Sequence, residues 1–264
     1  MKDITRIPVH RFQDGSLGLD AEDLASECLV HLYVNNRHLT SLLASPENLG
    51  DLATGHLRTE YGIDMPHGGH AVREDEHNGA YLLHLNVDGL AEVTSRSNVV
   101  TTSCGGCEQD RLTELVEQTP TVTCDAVEVS IDRLLDALEQ MRSQQHGFAK
   151  TVGMHAAGLL FPSQDGLLVR EDIGRHNAVD KVIGAYQQSA SSASPTALLL
   201  SGRCGWDIVA KAASMNIPVI ASIGAASSLA VKTARSSNMT LVSFAKAGRA
   251  VVIGPLEGRI QRNH

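Results

Sequence analysis

Three short apolar runs in the last third of the chain constrain its fold most strongly. TALLLSG, IPVIASIG and MTLVSF lack the alternation of half-buried strands, and two segments, 205–216 and 226–238, separate them. Continuous apolar runs are typical of strands that are buried on both faces of a sheet. The intervening segments repeat small apolar residues at helical spacing: Ile208, Val209, Ala212 and Ala213 in the first, and Leu229, Ala230, Thr233 and Ala234 in the second. The pattern predicts strand, helix, strand, helix, strand, with parallel strands and right-handed crossovers.

Two further elements are predicted around this unit. AVVIG follows MTLVSF after only five residues, which is too short for a crossover, so we expect it to pair antiparallel at an edge. On the N-terminal side, Ser130 is a candidate N-cap for a helix in which Ile131, Leu134, Leu135 and Leu138 share one face, with Gly147 beyond its end.

The first 120 residues predict a smaller α+β unit. Residues 28–43 alternate around Asn35-Asn36, which indicates a hairpin that opens the fold. A helical pattern from Pro46 to Tyr61 follows, with Ser45 as its N-cap and Gly62 as its stop. We interpret 64–79 as a loop and YLLHLNV as a strand. A chain of 264 residues is long enough for two cores, so the prediction is an α/β protein with a smaller N-terminal α+β domain (1–120) and a larger α/β domain (121–264).

Charge and terminal sequence exclude some classes of function. Acidic residues outnumber basic ones by 30 to 22, a net charge of −8, which disfavours a protein that coats nucleic acid or anionic membranes. MKDITRIPVHRF does not resemble a secretory signal, and no run approaches the ~18 apolar residues of a membrane span. We expect a cytoplasmic location.

Cys104 and Cys107 enclose two glycines in the segment TTSCGGCE. Two thiols at this spacing can carry sulfur, form a disulfide or bind a metal. Five cysteines are an odd number for a disulfide scaffold, and no second pair has the spacing of a zinc site, so we predict no metal. The predicted helix 108–118 would lower the pKa of a thiol at its start, whereas Glu108 and Asp110 would raise it, and the net direction stays open.

Three segments are expected at one edge of the predicted sheet. Residues 201–203, 222–224 and 244–249 follow the carboxyl ends of the parallel strands, which is where open α/β sheets bind ligands. Their glycines permit close approach, and Arg203, Lys246 and Arg249 add positive charge that suits a phosphorylated ligand. Ordinary loops with solvated charges are the alternative.

REDIGRHNAVDKVIG, residues 170–184, is the densest polar cluster in the chain. Asp172 near a helix start, with Val179 and Val182 on one face, is explained by a capped helix. Arg175 and His176 add more polarity than a cap requires, which is typical of a functional site. Both interpretations stay open.

Several of these segments resemble one family. MHAAGLL, REDIGRHNAVDKVIG, SGRCGWDIVAKAA, IPVIAS, SLAV and TLVSFAKAGR, downstream of the cysteine pair, are similar to the formate dehydrogenase accessory protein family (FdhD). The resemblance implies a cytidine-deaminase-like fold for the larger domain, a homodimer, and a sulfurtransferase in which Cys104 carries a persulfide from a cysteine desulfurase with the help of Cys107. It implies delivery of this sulfur to bis-molybdopterin guanine dinucleotide for apo-formate dehydrogenase. It also implies that the cofactor is bound by Phe244, Ala245, Lys246, Ala247, Gly248 and Arg249.

Departures from the expected motifs limit the alternatives. A zinc deaminase requires His-x-Glu, but Ala156 and Ala157 follow His155, so deaminase chemistry is disfavoured. We interpret Cys204, beside Arg203, as a packing residue rather than a third relay thiol. A chaperone that binds the cofactor without transferring sulfur is the second hypothesis, because the loops at the sheet edge require no cysteine.

Overall fold

The computed structural model describes residues 3–65, 73–77, 79–87, 109–123, 128–162, 166–189, 193–246 and 248–261. Twelve strands and seven α-helices lie in these ranges, and none of the helices is long and apolar enough to cross a membrane. The strands are β1 (Ile4–Gln13), β2 (Ser16–Ala25), β3 (Cys28–Val34), β4 (Arg37–Ala44), β5 (Arg73–His77), β6 (Ala80–Leu85), β7 (His155–Leu160), β8 (Leu167–Asp172), β9 (Ala197–Leu200), β10 (Val219–Ser222), β11 (Thr240–Lys246) and β12 (Arg249–Ile253). The helices are α1 (Leu49–His56), α2 (Gln109–Glu117), α3 (Ile131–Ser143), α4 (His146–Thr151), α5 (Arg175–Gln188), α6 (Trp206–Ser214) and α7 (Ser228–Ser236).

A six-stranded sheet with the order β12-β11-β10-β9-β7-β8 forms the centre of the C-terminal part. β9, β10 and β11 are parallel, and β12 pairs antiparallel with β11 at the edge, which confirms both predictions. β7 runs antiparallel to β9 and β8 antiparallel to β7, so the sheet is mixed. As a result, β8 ends at the same edge of the sheet as the three parallel strands.

Helices cover both faces of this sheet, as the apolar runs predict. Leu198 and Leu200 of β9 pack in a core with α5, α6 and α7, whereas Ala197 and Leu199 pack in a second core with α3. Alternate residues of a strand point to opposite faces. The Ser130 side chain accepts a hydrogen bond from the Arg133 amide, which confirms it as the N-cap of α3.

Two sheets form the N-terminal part. β1 and β2 form a hairpin that pairs with no other strand among the described residues, and the second sheet has the order β4-β3-β6-β5. The predicted hairpin around Asn35-Asn36 is confirmed as β3 and β4, but it does not open the fold because β1 and β2 precede it. The interpretation of 64–79 as a loop is wrong in part, because β5 lies within it and pairs with β6. Charged edge strands such as REDEH lack the alternation that marks half-buried strands.

The predicted N-cap at Ser45 is also wrong. α1 begins at Leu49 after Asn48, and Ser45 is fully buried, where its hydroxyl oxygen accepts a hydrogen bond from the Ile173 amide. After α1 the chain continues as a short π-helical segment, Leu57–Tyr61, which ends at Gly62 in the left-handed conformation as predicted. A distant partner therefore determines the position of Ser45.

Two glycines allow α1 and α5 to cross with their backbones in contact. A Cβ atom at Gly184 would lie 2.8 Å from the backbone carbonyl carbon of Asp51, and one at Gly55 would lie 2.6 Å from that of Asp180. Real Cβ atoms essentially never come so close to backbone atoms. This crossing fixes the N-terminal helix against the helix that follows β8.

We expect Gly184→Ala to destabilise the protein by about 1–3 kcal/mol or more, since the added methyl group would force two backbones apart. Urea unfolding followed by circular dichroism measures this loss. Gly18→Ala in β2 is the matched control, because a Cβ atom there would meet nothing within 4 Å. Equal stability of the Gly184 variant and the wild type would contradict the crossing.

Candidate functional site

The loops that follow β9 and β10 are joined to each other and to the last residues of β11 by backbone hydrogen bonds at the carboxyl edge of the sheet. The Gly224 amide donates to the Gly202 carbonyl at 3.2 Å, and the Phe244 amide donates to the Gly224 carbonyl at 3.0 Å. The Cys204 amide donates to the Ala225 carbonyl at 3.0 Å. The structure thus brings together the three segments that the sequence predicts to converge.

Glycines allow the close approach of these loops. A Cβ atom at Gly224 would lie 2.8 Å from the Gly202 carbonyl oxygen, and one at Gly202 would lie 3.2 Å from Nδ1 of His155. His155 begins β7, so its imidazole lies directly beside the loop after β9. A larger residue at Gly224 would therefore separate the two loops.

Positive charges surround this edge. Burial lowers the pKa of His155, and the nearby charges of Arg175 and Arg203 lower it further. The imidazole is therefore neutral at pH 7. Lys246 and Arg249 are exposed, and their backbones lie opposite each other in the antiparallel pairing of β11 with β12. Four cationic side chains, from the start of α5, the loop after β9 and the turn between β11 and β12, thus lie at one edge, which suits an anionic ligand such as a phosphate ester.

A cavity of about 320 Å³ opens at the same edge on the side of α3. It lies beside the loops after β9 and β10 and extends to α4. Its lining residues are Arg142, Gln145, Phe148, Val152, Gly153, Met154, His155, Ser201 and Ile223. No local sequence pattern marks Arg142 or Gln145, because their place in a cavity depends on how α3 and α4 pack.

The predicted cofactor segment lies at this edge in part. Phe244 is 52 % exposed and has a left-handed backbone, Ala245 is buried in the core under α3, and Gly248 is left-handed in the turn to β12. Ala247 and the predicted sulfur carriers Cys104 and Cys107 lie outside the described residues. The roles of these residues stay predictions.

Two other cysteines are poor nucleophiles. Burial raises the pKa of the Cys28 thiol to about 11 and that of Cys204 to about 12. Cys204 belongs to the apolar core, which confirms its interpretation as a packing residue. The thiol of Cys28 donates to the Ala44 carbonyl at 3.2 Å and lies beside the N-terminal core.

Asp172 connects the two parts of the chain. Its carboxylate accepts hydrogen bonds from the amides of Ser45 at 3.0 Å and Gly174 at 2.7 Å, and it pairs with the ammonium of Lys181 at 2.7 Å. The Lys181 ammonium also donates to the Ser45 carbonyl at 2.9 Å. Asp172, Lys181 and Ser45 are all fully buried. Asp172 is thus a structural residue and not a simple helix cap.

The other polar residues of the 170–184 cluster also make tertiary contacts. Glu171 accepts from the amides of Gly147 and Phe148 at the start of α4, and Arg170 pairs with Asp51 at 2.6 Å. Asp180 accepts from His56, Thr59 and Lys211, and His176 pairs with Asp207. Within the described ranges, most of these side chains therefore stabilise contacts between different helices and strands.

A second cavity, of about 340 Å³, lies between α6, the π-helical segment and the end of α2. Trp206, Lys211 and Glu60 contribute to its walls, as do Leu115 of α2 and Gln118, which directly follows α2. In the sequence α2 begins two residues after Cys107. Among the described residues no group of three or more His, Cys, Asp and Glu side chains is arranged to hold a metal ion.

The arrangement defines a mixed α/β protein with cationic side chains at one edge of its central sheet, and a solved structure shares this fold. A protein from Desulfotalea psychrophila, assigned as a formate dehydrogenase accessory protein, matches with a TM-score of 0.74 over 97 % of this chain and 99 % of its own, at 22 % sequence identity. The likeness to cytidine deaminase and the boundary at residue 120 stay predictions.

The chain belongs to the FdhD/NarQ family, whose sequence model matches residues 25–260. The sulfur carrier protein FdhD of Streptomyces coelicolor is 34 % identical over 262 residues, which cover 90 % of this chain and 89 % of the relative. The protein of the same name from Shewanella oneidensis is 34 % identical over 253 residues, 94 % of this chain and 90 % of the relative. The resemblance inferred from the motifs is thereby confirmed.

We expect Asp172→Asn to cost about 3–5 kcal/mol of unfolding free energy, because it leaves the buried Lys181 ammonium without a counter-charge. Urea titration measures the loss. Asp136→Asn, on the exposed face of α3, is the control with the same change of charge and should have little effect. Adding Lys181→Met to Asp172→Asn should recover part of the loss, and a small effect of Asp172→Asn alone would contradict the central role of this ion pair.

Proposed function

We propose that this protein is a sulfurtransferase of molybdenum cofactor maturation. Cys104 accepts persulfide sulfur from a cysteine desulfurase, with the help of Cys107, and passes it to bis-molybdopterin guanine dinucleotide for apo-formate dehydrogenase. The observation that carries the proposal is the match, over about 90 % of this chain, to relatives named sulfur carrier protein, in a sequence that contains a Cys-Gly-Gly-Cys pair. The cytoplasm is the proposed location, and a homodimer is the proposed assembly.

The properties of the described thiols support the choice of cysteines. A persulfide carrier requires a thiolate that can attack sulfur, and thiols with raised pKa values are poor nucleophiles near pH 7. Cys28 and Cys204 have pKa values of about 11 and 12. The cysteine pair at 104 and 107 has the spacing that permits sulfur to pass between two thiols.

The charges at the sheet edge support the choice of cofactor. A guanine dinucleotide carries diphosphates, and arginine and lysine side chains bind phosphate oxygens through charge-assisted hydrogen bonds. Arg175, Arg203, Lys246 and Arg249 supply such groups at the carboxyl edge. Phe244 to Arg249 is the segment that we propose to hold the cofactor.

One observation favours a second candidate, a chaperone that binds the cofactor without transferring sulfur. The anion-accepting edge forms from loops whose described cysteine, Cys204, is buried and makes no contribution to the surface. Binding at this edge therefore requires no thiol. The two candidates differ in what they predict for the cysteine variants.

We expect Cys104→Ala and Cys107→Ala each to abolish formate dehydrogenase activity in a host that lacks its own copy of this protein, because each removes a thiol of the relay. Cys28→Ala, which removes a half-buried thiol, is the control and should support full activity. After incubation with a desulfurase and cysteine, mass spectrometry should find an adduct of about 32 Da, one sulfur atom, on Cys104. Full activity of both variants would leave only the chaperone.

We expect Lys246→Ala combined with Arg249→Ala to weaken binding of GDP by about tenfold or more, since two charge-assisted contacts are removed. Lys232→Ala combined with Arg235→Ala is the matched control, because it removes the same charge from exposed positions of α7. Isothermal titration calorimetry at two salt concentrations measures the affinity of each double variant for GDP. If the two double variants bound GDP equally well, the proposed place of the cofactor would be wrong.

A further inference from the structure

The cavity between α6, the π-helical segment and the end of α2 contains an indole N–H without a hydrogen-bond partner. Trp206, the only tryptophan of the sequence, begins α6 and lines this cavity of about 340 Å³. Its Nε1 atom is buried and donates to no acceptor in the part of the chain that the structure describes. A buried donor costs free energy until a partner satisfies it. A ligand with an acceptor oxygen would supply that partner.

Carboxylates outnumber cations around the same cavity. Glu60 and Asp207 lie in its wall. Lys211 is the cation among the described residues of the wall, and its ammonium donates to the Thr59 hydroxyl at 2.9 Å. It also pairs with Asp180 at 2.7 Å and with Glu60 at 2.5 Å, so its three protons all have partners. Three carboxylates and one ammonium leave an excess of negative charge at this cavity.

Two neighbouring groups leave this excess in place. His176 pairs with Asp207, but burial lowers the pKa of His176 more than the Asp207 charge raises it, so the imidazole is neutral at pH 7. The C-terminal end of α2 also lies at the cavity, because Gln118 and Thr119 directly follow α2 and line the wall. A helix C-terminus carries partial negative charge, and the last turn of α2 contains no basic residue.

A guanidinium group fits these walls. Its planar fork donates to carboxylates, and its face stacks on an indole ring. The carboxylates of Glu60 and Asp207 and the indole of Trp206 lie at this one cavity. An arginine side chain belongs to a peptide, whose carbonyl oxygens are acceptors of the kind that the indole N–H lacks. An anionic ligand would be repelled by the same carboxylates.

The cavity lies at the end of the helix that follows the thiol pair. In the sequence α2 begins two residues after Cys107. Its nine residues form a helix about 14 Å long. A standard protein interface covers about 800 Å² on each partner, which corresponds to a disc about 30 Å across. A protein anchored at this cavity would therefore also cover the start of α2.

We propose that this cavity is a docking site for an arginine side chain of a partner protein with a basic surface. Glu60 and Asp207 bind the guanidinium, and the indole of Trp206 stacks on it and donates its N–H to a peptide carbonyl. The net charge of −8 attracts a basic partner from a distance. The inference concerns binding alone and does not depend on sulfur transfer.

The test measures binding of the full chain to acetyl-Gly-Arg-Gly-amide, with the citrulline peptide as its neutral isostere. Because Trp206 is the only tryptophan, its fluorescence reports binding at this cavity. The citrulline peptide should bind about tenfold more weakly or worse, since its urea group carries no charge. Glu60→Gln and Asp207→Asn should each weaken binding of the arginine peptide by about tenfold. Glu139→Gln, at an exposed position of α3, removes the same charge and is the matched control.

A further variant tests the indole N–H. Trp206→Phe keeps an aromatic ring but removes the donor, so calorimetry should find the arginine peptide bound about fivefold more weakly. Circular dichroism of each variant checks that it is folded.

The inference is wrong if the wild type does not bind the arginine peptide, if it binds the citrulline peptide equally well, or if both carboxylate variants keep full affinity. A change of oligomeric state in Glu60→Gln or Asp207→Asn, with unchanged peptide affinity, would assign the cavity to contact between two copies of this chain and would also overturn it. Failure of the cysteine variants to affect formate dehydrogenase activity would leave the peptide result standing, so the two proposals fail separately.

Discussion

The buried carboxylate of Asp172 is the contact on which the arrangement of the protein depends. It ends β8, faces the start of α5 and accepts hydrogen bonds from both parts of the chain. Its partner Lys181 is equally buried, so each charge requires the other. The backbone contact of α1 with α5 at Gly55 and Gly184 adds a constraint that leaves these helices little freedom to slide. Together these contacts place Arg175 and His155 beside the loops that we propose to bind the cofactor.

Local patterns predict four of the six strands of the central sheet, β9 to β12, because the features that mark them lie within each segment, but they do not predict β7 and β8. The continuous apolar runs of β9, β10 and β11 require burial on both faces, and the short link to β12 permits only an antiparallel neighbour. The sequence-based predictions are wrong where the conformation of a segment depends on contacts with residues that are distant along the chain. Ser45 has the sequence of a helix cap, but the Asp172 carboxylate and the Ile173 amide, more than a hundred residues away, hold it. β5 consists of charged and polar residues and has no apolar face to reveal it.

The candidate site likewise has one part that the sequence predicts and one that it does not. Convergence of the three loops follows from the rule that parallel strands end at one edge, so the sequence is sufficient to predict it. The role of the polar cluster at 170–184 is not predictable from the sequence, because the partners of its acidic and basic side chains lie in elements that are distant along the chain. Gln145 is equally invisible in the sequence, since nothing in MRSQQHG distinguishes the buried glutamine from its exposed neighbour. The pair Cys104 and Cys107 is evident in the sequence. The structure adds that burial raises the pKa values of the Cys28 and Cys204 thiols, which makes both poor nucleophiles.

The hydrogen bonds from Phe244 to Gly224 and from Gly224 to Gly202 continue the pairing of the sheet beyond the ends of β9 and β10. Loops tied in this way are ordered before any ligand arrives. Association then requires little further loss of backbone entropy, so more of the contact energy appears as affinity. If the edge binds the cofactor that we propose, a preorganised edge of this kind would not need to close over it, and one side of the cofactor would stay open to a second protein.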